Sequence, residues 1–259
     1  MDDVPIRVLI ALPLGLAAGS FMTVVAGRVP AGESVLRPRS RCPACSTPIR
    51  NRDNIPLVSW ILLRGRCHAC SAKIPGAYPA VELATAAVVV GAALTYPSVW
   101  VAVMMAAFLA LMPAIAVIDL RHRIIPNRVI YPSLIVFPVY VLVAWLAGAP
   151  IDPITASIGF LGYGGTLALV AFVSPRGMGM GDVKLVALIG LVLGSVDPAS
   201  VLVAAGAGIL LGGFGAIGAL LSGASRKHAI PFGPFLAAGA VIGALWGTEL
   251  ASLYRDLLL

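Results

Sequence analysis

Two sets of residues in this chain have both the chemistry and the spacing to build a site: four cysteines and two aspartates. The cysteines come as Cys42-Pro-Ala-Cys45 and Cys67-His-Ala-Cys70. Two C-x-x-C pairs separated by about 20 residues have the spacing of a four-thiolate zinc site, each hairpin giving two sulfurs to one tetrahedral ion. The flanks repeat too, as Ser46-Thr-Pro-Ile49 after the first pair and Ser71-Ala-Lys-Ile74 after the second. Two disulfides, or four idle thiols, are the alternatives. Haem attachment would need a histidine directly after the second cysteine, where Ser46 and Ser71 stand instead. His68 is read as a bystander, because four thiolates already fill a tetrahedron.

The aspartates lie in Asp119-Leu-Arg-His-Arg-Ile-Ile-Pro126-Asn127 and Gly177-Met-Gly179-Met-Gly181-Asp182-Val-Lys184, 63 residues apart. Two carboxylates held close together do not both ionise easily, so they share a proton and can act as an acid–base pair. Glycine has no Cβ, so the run Gly177, Gly179, Gly181 lets another backbone come close beside Asp182. No G-K-[ST] follows those glycines, which argues against a phosphate loop, and neither G-x-S-x-G nor H-E-x-x-H occurs. Each aspartate also has a plainer reading. Asp182 suits a helix N-cap. Asp119 sits at a helix C-terminus, where the macrodipole disfavours negative charge, and Arg121 and Arg123 are on hand to neutralise it. Lys184 either tunes the site or binds substrate, or is simply a basic flank. Glu82 either meets a basic or cationic ligand or pairs with Lys73. His122 and His228 fall in basic turns and read as solvated or headgroup-facing.

The elements that carry these residues follow from composition. Of 259 residues, 59% are hydrophobic and 11% charged. Ordinary soluble domains carry about 25% charged residues. A soluble enzyme, a disordered chain and a small disulfide scaffold are therefore excluded, and a polytopic helical membrane protein remains. The apolar runs do not alternate, which excludes a porin-type barrel. The charges mark where the chain leaves the membrane. Uncharged runs of 20, 36, 23, 23, 12, 28 and 21 residues separate them, and the 36-residue run breaks at Tyr96-Pro97-Ser98. This predicts an all-α protein of about eight transmembrane helices. The 12-residue run after Lys184 covers only about 18 Å of a hydrocarbon core about 30 Å thick. Either the bilayer thins there or Asp182 is recessed in a wet cavity.

Alternating the sides places 16 of the 18 lysines and arginines on one face, nine of them in residues 28–78, and leaves Arg7 and Arg255 on the other. Basic residues stay in the cytoplasm. The polar stretch 29–78 is thus expected inside, as a small zinc-binding insert between helices 1 and 2, with both termini outside. Disulfides rarely persist in that compartment. A metal would also stabilise an insert too small for a secure core. The expected parts are a first helix at 1–28, the four-cysteine domain at 29–78 and a membrane domain of about seven helices at 79–259. Asp2 and Asp3 precede the first span and Arg28 follows it, the opposite polarity to a secretory signal, so that span is read as permanent. The net charge of +7 is a topology signal rather than a sign of nucleic-acid binding. The insert is basic enough to touch anionic lipid. By the same count, Asp119 and Asp182 sit at one cytosolic depth, where ionisable groups are functional candidates.

The ordered set of motifs resembles the bacterial type IV prepilin peptidases, aspartic membrane proteases of the GxGD kind. The resemblance rests on Gly19-Ser-Phe-Met-Thr-Val-Val, Arg41-Cys-Pro-Ala-Cys45, Asn54-Ile-Pro-Leu-Val-Ser-Trp60, Arg64-Gly-Arg-Cys-His-Ala-Cys70 and Tyr78-Pro-Ala-Val-Glu82. It continues through Asp119 with Ile125-Pro126-Asn127, Gly179-Met-Gly181-Asp182-Val-Lys184 and Ile230-Pro-Phe-Gly-Pro-Phe235. Thr23, where many members carry Asn, is a mild variation. The resemblance implies that Asp119 and Asp182 are the catalytic pair. It implies cleavage of the short basic leader of prepilins and pseudopilins, after a glycine at the cytosolic face of the cell membrane. The substrates would belong to type IV pili or protein secretion. It also implies a second activity, methylation of the new amino terminus with S-adenosylmethionine, although no glycine-rich Rossmann fingerprint marks a site for that donor. The competing class is a transporter or channel using intramembrane carboxylates, but the chain shows no pair of related halves. A zinc-binding module without enzyme activity would leave both aspartate motifs unexplained.

Overall fold

Apolar segments in lipid must satisfy their backbone groups internally, so each run between charges closes into a helix. The computed structural model describes residues 3–174, 179–222 and 230–258; Asp2, Gly177 and His228 lie outside the described residues. The helices are α1 Val4–Arg28, α2 Val58–Leu62, α3 Ala77–Thr95, α4 Val99–His122, α5 Asn127–Leu146, α6 Pro153–Gly159, α7 Gly165–Val173, α8 Met180–Gly194, α9 Pro198–Leu221 and α10 Gly233–Leu258. A π-helical turn, Phe160–Gly164, joins α6 to α7. Among the described residues, seven spans are long and apolar enough to cross a membrane: α1, α3, α4, α5, α6 through α7, α9 and α10. The protein is therefore an integral, all-helical membrane protein, and α8 is the short eighth segment. Alternation of the eight segments brings the insert, the end of α4 and the starts of α5, α8 and α10 to one end of the bundle.

The 15 residues of α8 span about 22 Å, less than the hydrocarbon thickness. The packing explains how so short a helix is accommodated. Every residue from Val183 to Gly194 except Lys184 is buried. The helix threads the middle of the bundle against α4, α5, α6, α7, α9 and α10. A helix apolar on all sides is either lipid-bathed or enclosed, and this one is enclosed. Its neighbours meet the lipid, so no thinning of the bilayer is required.

Close approach of backbones makes that enclosure possible. A Cβ on Gly190 would collide with the carbonyl oxygen of Gly159 in α6, and one on Gly159 with that of Gly190. One turn on, a Cβ on Gly194 would lie 2.8 Å from the Thr155 carbonyl oxygen. Small residues that let backbones touch are the usual means of helix association in membranes.

The few charges at the opposite end of the bundle complete helix ends. Asp152 accepts the Ile154 N–H at 2.8 Å and caps α6, while Asp197 accepts the Ala199 N–H at 3.0 Å and caps α9. Arg7 donates to the carbonyls of Ala93 and Tyr96 at 3.0 and 2.9 Å, capping α3.

Gly190→Ala tests this packing. Overpacking typically costs about 1–3 kcal/mol, so the melting temperature in detergent should fall by about 5 °C for a chain of this size. A Cβ on Gly162 meets nothing within 4 Å, so Gly162→Ala should leave it within about 1 °C. Equal melting of the two variants would contradict the packing account.

Candidate active site and metal centre

The insert is built from two copies of one hairpin. Cys42 donates its N–H to the Thr47 carbonyl at 3.0 Å, and Cys67 to the Ala72 carbonyl at 2.8 Å. Ser46 and Ser71 turn the two hairpins with φ of 59° and 60°. Their N–H groups return to the Cys42 and Cys67 carbonyls at 2.8 and 2.9 Å. The sequence repeat is therefore a structural repeat. It aims four sulfurs at one point: those of Cys42, Cys45, Cys67 and Cys70 all lie within 4.8 Å of one another. The thiols are free, so the disulfide alternative does not hold. The Thr47 hydroxyl, 3.3 Å from the Cys45 sulfur, and the Thr47 backbone N–H pull the Cys45 thiol down to about 6. Backbone N–H groups of Cys70 and Ala69 likewise lower the Cys67 thiol. Donors aimed at thiolates are what a metal-binding hairpin needs, and the cluster can hold one tetrahedral metal ion. His68 is not part of it; its ring Nε2 lies 3.0 Å from Arg50 Nη1.

The aspartates stand at the insert end of the bundle, at the end of α4 and the start of α8. Asp119, in the last turn of α4, is only 5% exposed. Its Oδ2 accepts the backbone N–H of Gly233, the first residue of α10, at 2.8 Å. A Cβ on Gly233 would lie 2.7 Å from that oxygen, so only glycine brings the α10 backbone this close. This partner was not visible in the sequence; the one signal was a glycine between prolines and phenylalanines at the start of a helix. Arg121 is exposed and forms no ion pair with Asp119.

Asp182 is the third residue of α8, and the N-cap is Gly179, with φ −75° and ψ 138°. The N-cap reading of Asp182 is thus corrected: Gly179 adopts the extended cap conformation, and the Asp182 carboxylate, at the third helical position, reaches back to the Gly179 backbone N–H. It lies back over the cap, with Oδ2 3.2 Å from where a Gly179 Cβ would sit. Its position in the first turn suits negative charge. Asp119 lies within electrostatic reach of Asp182.

The segment after α4 holds the two helix ends together. Arg123 ends α4 in the left-handed conformation, φ 55° and ψ 41°. Ile125 then packs on Gly181, where a Cβ would lie 3.0 Å from the Ile125 Cβ. Lys184 donates to Asn127 Oδ1 at 3.0 Å and to the Tyr131 hydroxyl at 2.9 Å. Its ammonium sits 4.7 Å from the Tyr131 ring centroid. Lys184 therefore ties α8 to α5. Glu82 is buried in α3, and its Oε2 accepts the Leu57 N–H at 2.7 Å. Of the two readings of Glu82, the pairing with Lys73 is not formed; the buried carboxylate takes the backbone donor that arrives beside it.

Metal analysis of the purified, reduced protein should find one ion per chain. Cys67→Ser should lower that content and expose residues 29–78 to protease, since three thiolates leave the tetrahedron open. Undiminished metal in this variant would exclude the four-sulfur centre.

Known proteins resemble this chain over most of its length. The model of the bacterial peptidase A24 N-terminal domain matches residues 14–96, and that of the type IV leader peptidase family matches residues 106–248. The prepilin leader peptidase/N-methyltransferase of Bacillus subtilis (strain 168) is 33% identical over 93% of this chain and 94% of its own length. The protein of the same description from Stutzerimonas stutzeri is 33% identical over 95% and 93%. The type 4 prepilin-like proteins leader peptide-processing enzyme of Escherichia coli O78:H11 is 34% identical over 88% and 89%. No solved structure matches the chain. The transporter reading finds no support in these matches. With two family models in tandem and relatives matched over nearly their whole length, the chain belongs to the type IV leader peptidase family.

Proposed function

We propose that this protein is an aspartic endopeptidase that removes the basic leader of type IV prepilins and pseudopilins. Cleavage follows a glycine at the cytosolic face of the inner membrane. One observation carries the reading: carboxylates 63 residues apart in sequence come within electrostatic reach at one end of the bundle. Asp119 is held by the Gly233 N–H and Asp182 rides on the first turn of α8. In the reaction they share one proton. The ionised carboxylate removes a proton from water as the water oxygen attacks the scissile carbonyl carbon. The protonated carboxyl hydrogen-bonds the carbonyl oxygen as it gains charge. Collapse of the adduct breaks the C–N bond, and a proton passes to the leaving amine. Gly179, exposed at the cap of α8, leaves the backbone beside Asp182 open to an extended peptide, while Gly181 gives room to Ile125. Lys184 and Glu82 support the site through the bonds already described.

The same proposal places one structural zinc on Cys42, Cys45, Cys67 and Cys70, with no catalytic step passing through it. It assigns the chain the methyl transfer that its relatives' names state, with S-adenosylmethionine as donor. Residues 29–78 and the aspartates face the cytoplasm and both termini lie outside, a reading supported by the distribution of basic residues. Three parts divide the work: the first helix at 1–28, the four-cysteine domain at 29–78 and the peptidase domain at 79–259.

Incubating the purified protein with a prepilin and weighing the products tests the function. The expected result is a chain that begins directly after the leader glycine, heavier by one methyl group when S-adenosylmethionine is added. Uncut prepilin would overturn the proposal. A cut chain without the methyl group would restrict it to a peptidase.

A further inference from the structure

The insert exposes apolar surface that no part of the chain covers. Val58, Ile61 and Leu62 of α2 are 45%, 58% and 75% exposed. Their i, i+3, i+4 spacing puts them on one face of the helix. Ile55 just before them is 49% exposed, and Leu36 is 80% exposed. The opposite side of α2 is occupied: Ser59 is buried, and the Trp60 ring nitrogen donates to the Ile74 carbonyl at 3.3 Å.

These side chains are held at the edge of the membrane bundle. The Leu57 N–H, at the start of α2, bonds Glu82 in the second turn of α3. Leu83, next to Glu82, is 55% exposed on the outer surface of that membrane helix. Val35, beside Leu36, packs on the cluster of Met22, Val25 and Val81 at the ends of α1 and α3. The start of α2 is thus fixed to α3 beside exposed apolar helix surface. The insert also carries exposed arginines, among them Arg37, Arg39, Arg52, Arg64 and Arg66. The only ion pair among the described residues is Arg52–Asp53, at 3.9 Å. Residues 28–78 hold nine basic residues against two acids, Glu33 and Asp53.

We propose that α2, with Ile55 and Leu36, is an interfacial anchor that docks the four-cysteine insert onto an anionic lipid leaflet. The aliphatic side chains enter the headgroup–acyl boundary and the arginines bind lipid phosphates. The occupant is lipid rather than a protein because the face is tethered beside exposed apolar surface of a membrane helix and the insert carries a large excess of positive charge. The anchor rests on the membrane location of the chain and not on its proteolytic activity.

The test uses the full chain in nanodiscs. One set contains phosphatidylcholine alone and the other adds phosphatidylglycerol, each with a trace of its own lipid bearing a photoactivatable group. After illumination, mass spectrometry locates labelled peptides. Peptides covering Ile55–Leu62 should be labelled several-fold more by phosphatidylglycerol than by phosphatidylcholine, and high salt should reduce the difference. Ile61→Asp combined with Leu62→Asp should lose that label while metal content stays unchanged. Label confined to the membrane helices, equal labelling by the two lipids, or a cross-link joining α2 to a second copy would each overturn the proposal.

Discussion

The backbone contact between α6 and α8 at Gly159 and Gly190 is the constraint on which the architecture turns. It allows a helix of 15 residues to lie wholly inside the bundle. Once α8 is enclosed, it no longer has to match the bilayer, and its first turn is fixed by protein rather than by lipid. Asp182 stands on that turn. The position of an ionisable group at the membrane boundary is therefore set by helix packing some two to three turns below it. Replacing either glycine would move the carboxylate without touching it.

Asp119 is fixed from the other direction. Its oxygen receives a backbone N–H from the start of α10, and the segment following α4 presents Ile125 to Gly181 and Asn127 to Lys184. The two carboxylates thus belong to a junction of α4, α5, α8 and α10. Backbone and side-chain contacts there restrain the two carboxylates that the proposed mechanism uses. Such restraint is what places reacting groups without reorganisation at the moment of reaction. The insert joins the bundle by a comparable device, the Leu57 N–H on Glu82. A buried carboxylate there gives the polar domain a fixed attachment to α3, next to the face proposed to enter the lipid.

What could be read from the sequence follows from what charge and spacing encode. Membrane exits are marked by charges, so the spans, the break at Tyr96-Pro97-Ser98 and the shared end of Asp119 and Asp182 were legible. The cysteine pairs were legible because two-residue spacing builds a hairpin locally. Central burial of α8 was not, because Leu, Val and Ala look alike whether they face lipid or protein. The Gly233 bond to Asp119 spans 114 residues and uses a backbone N–H, which leaves no mark in composition. The bond from the Leu57 N–H to Glu82 was hidden for the same reason, since its donor is a backbone group. Asp182 resembled an N-cap because Asp and glycine are both accepted there. The structure gives the cap to Gly179.

The central claim is that Asp119 and Asp182 work as one acid–base unit. The most direct measurement is the rate of prepilin cleavage in detergent by Asp119→Asn, Asp182→Asn and the double variant, with metal content as the check on folding. Residues that act as a unit are strongly non-additive. The account predicts that each single variant abolishes cleavage, that the double variant is no slower than either, and that all three keep their metal. A near-normal rate for Asp182→Asn, or losses in the two single variants that simply multiply in the double, would contradict it.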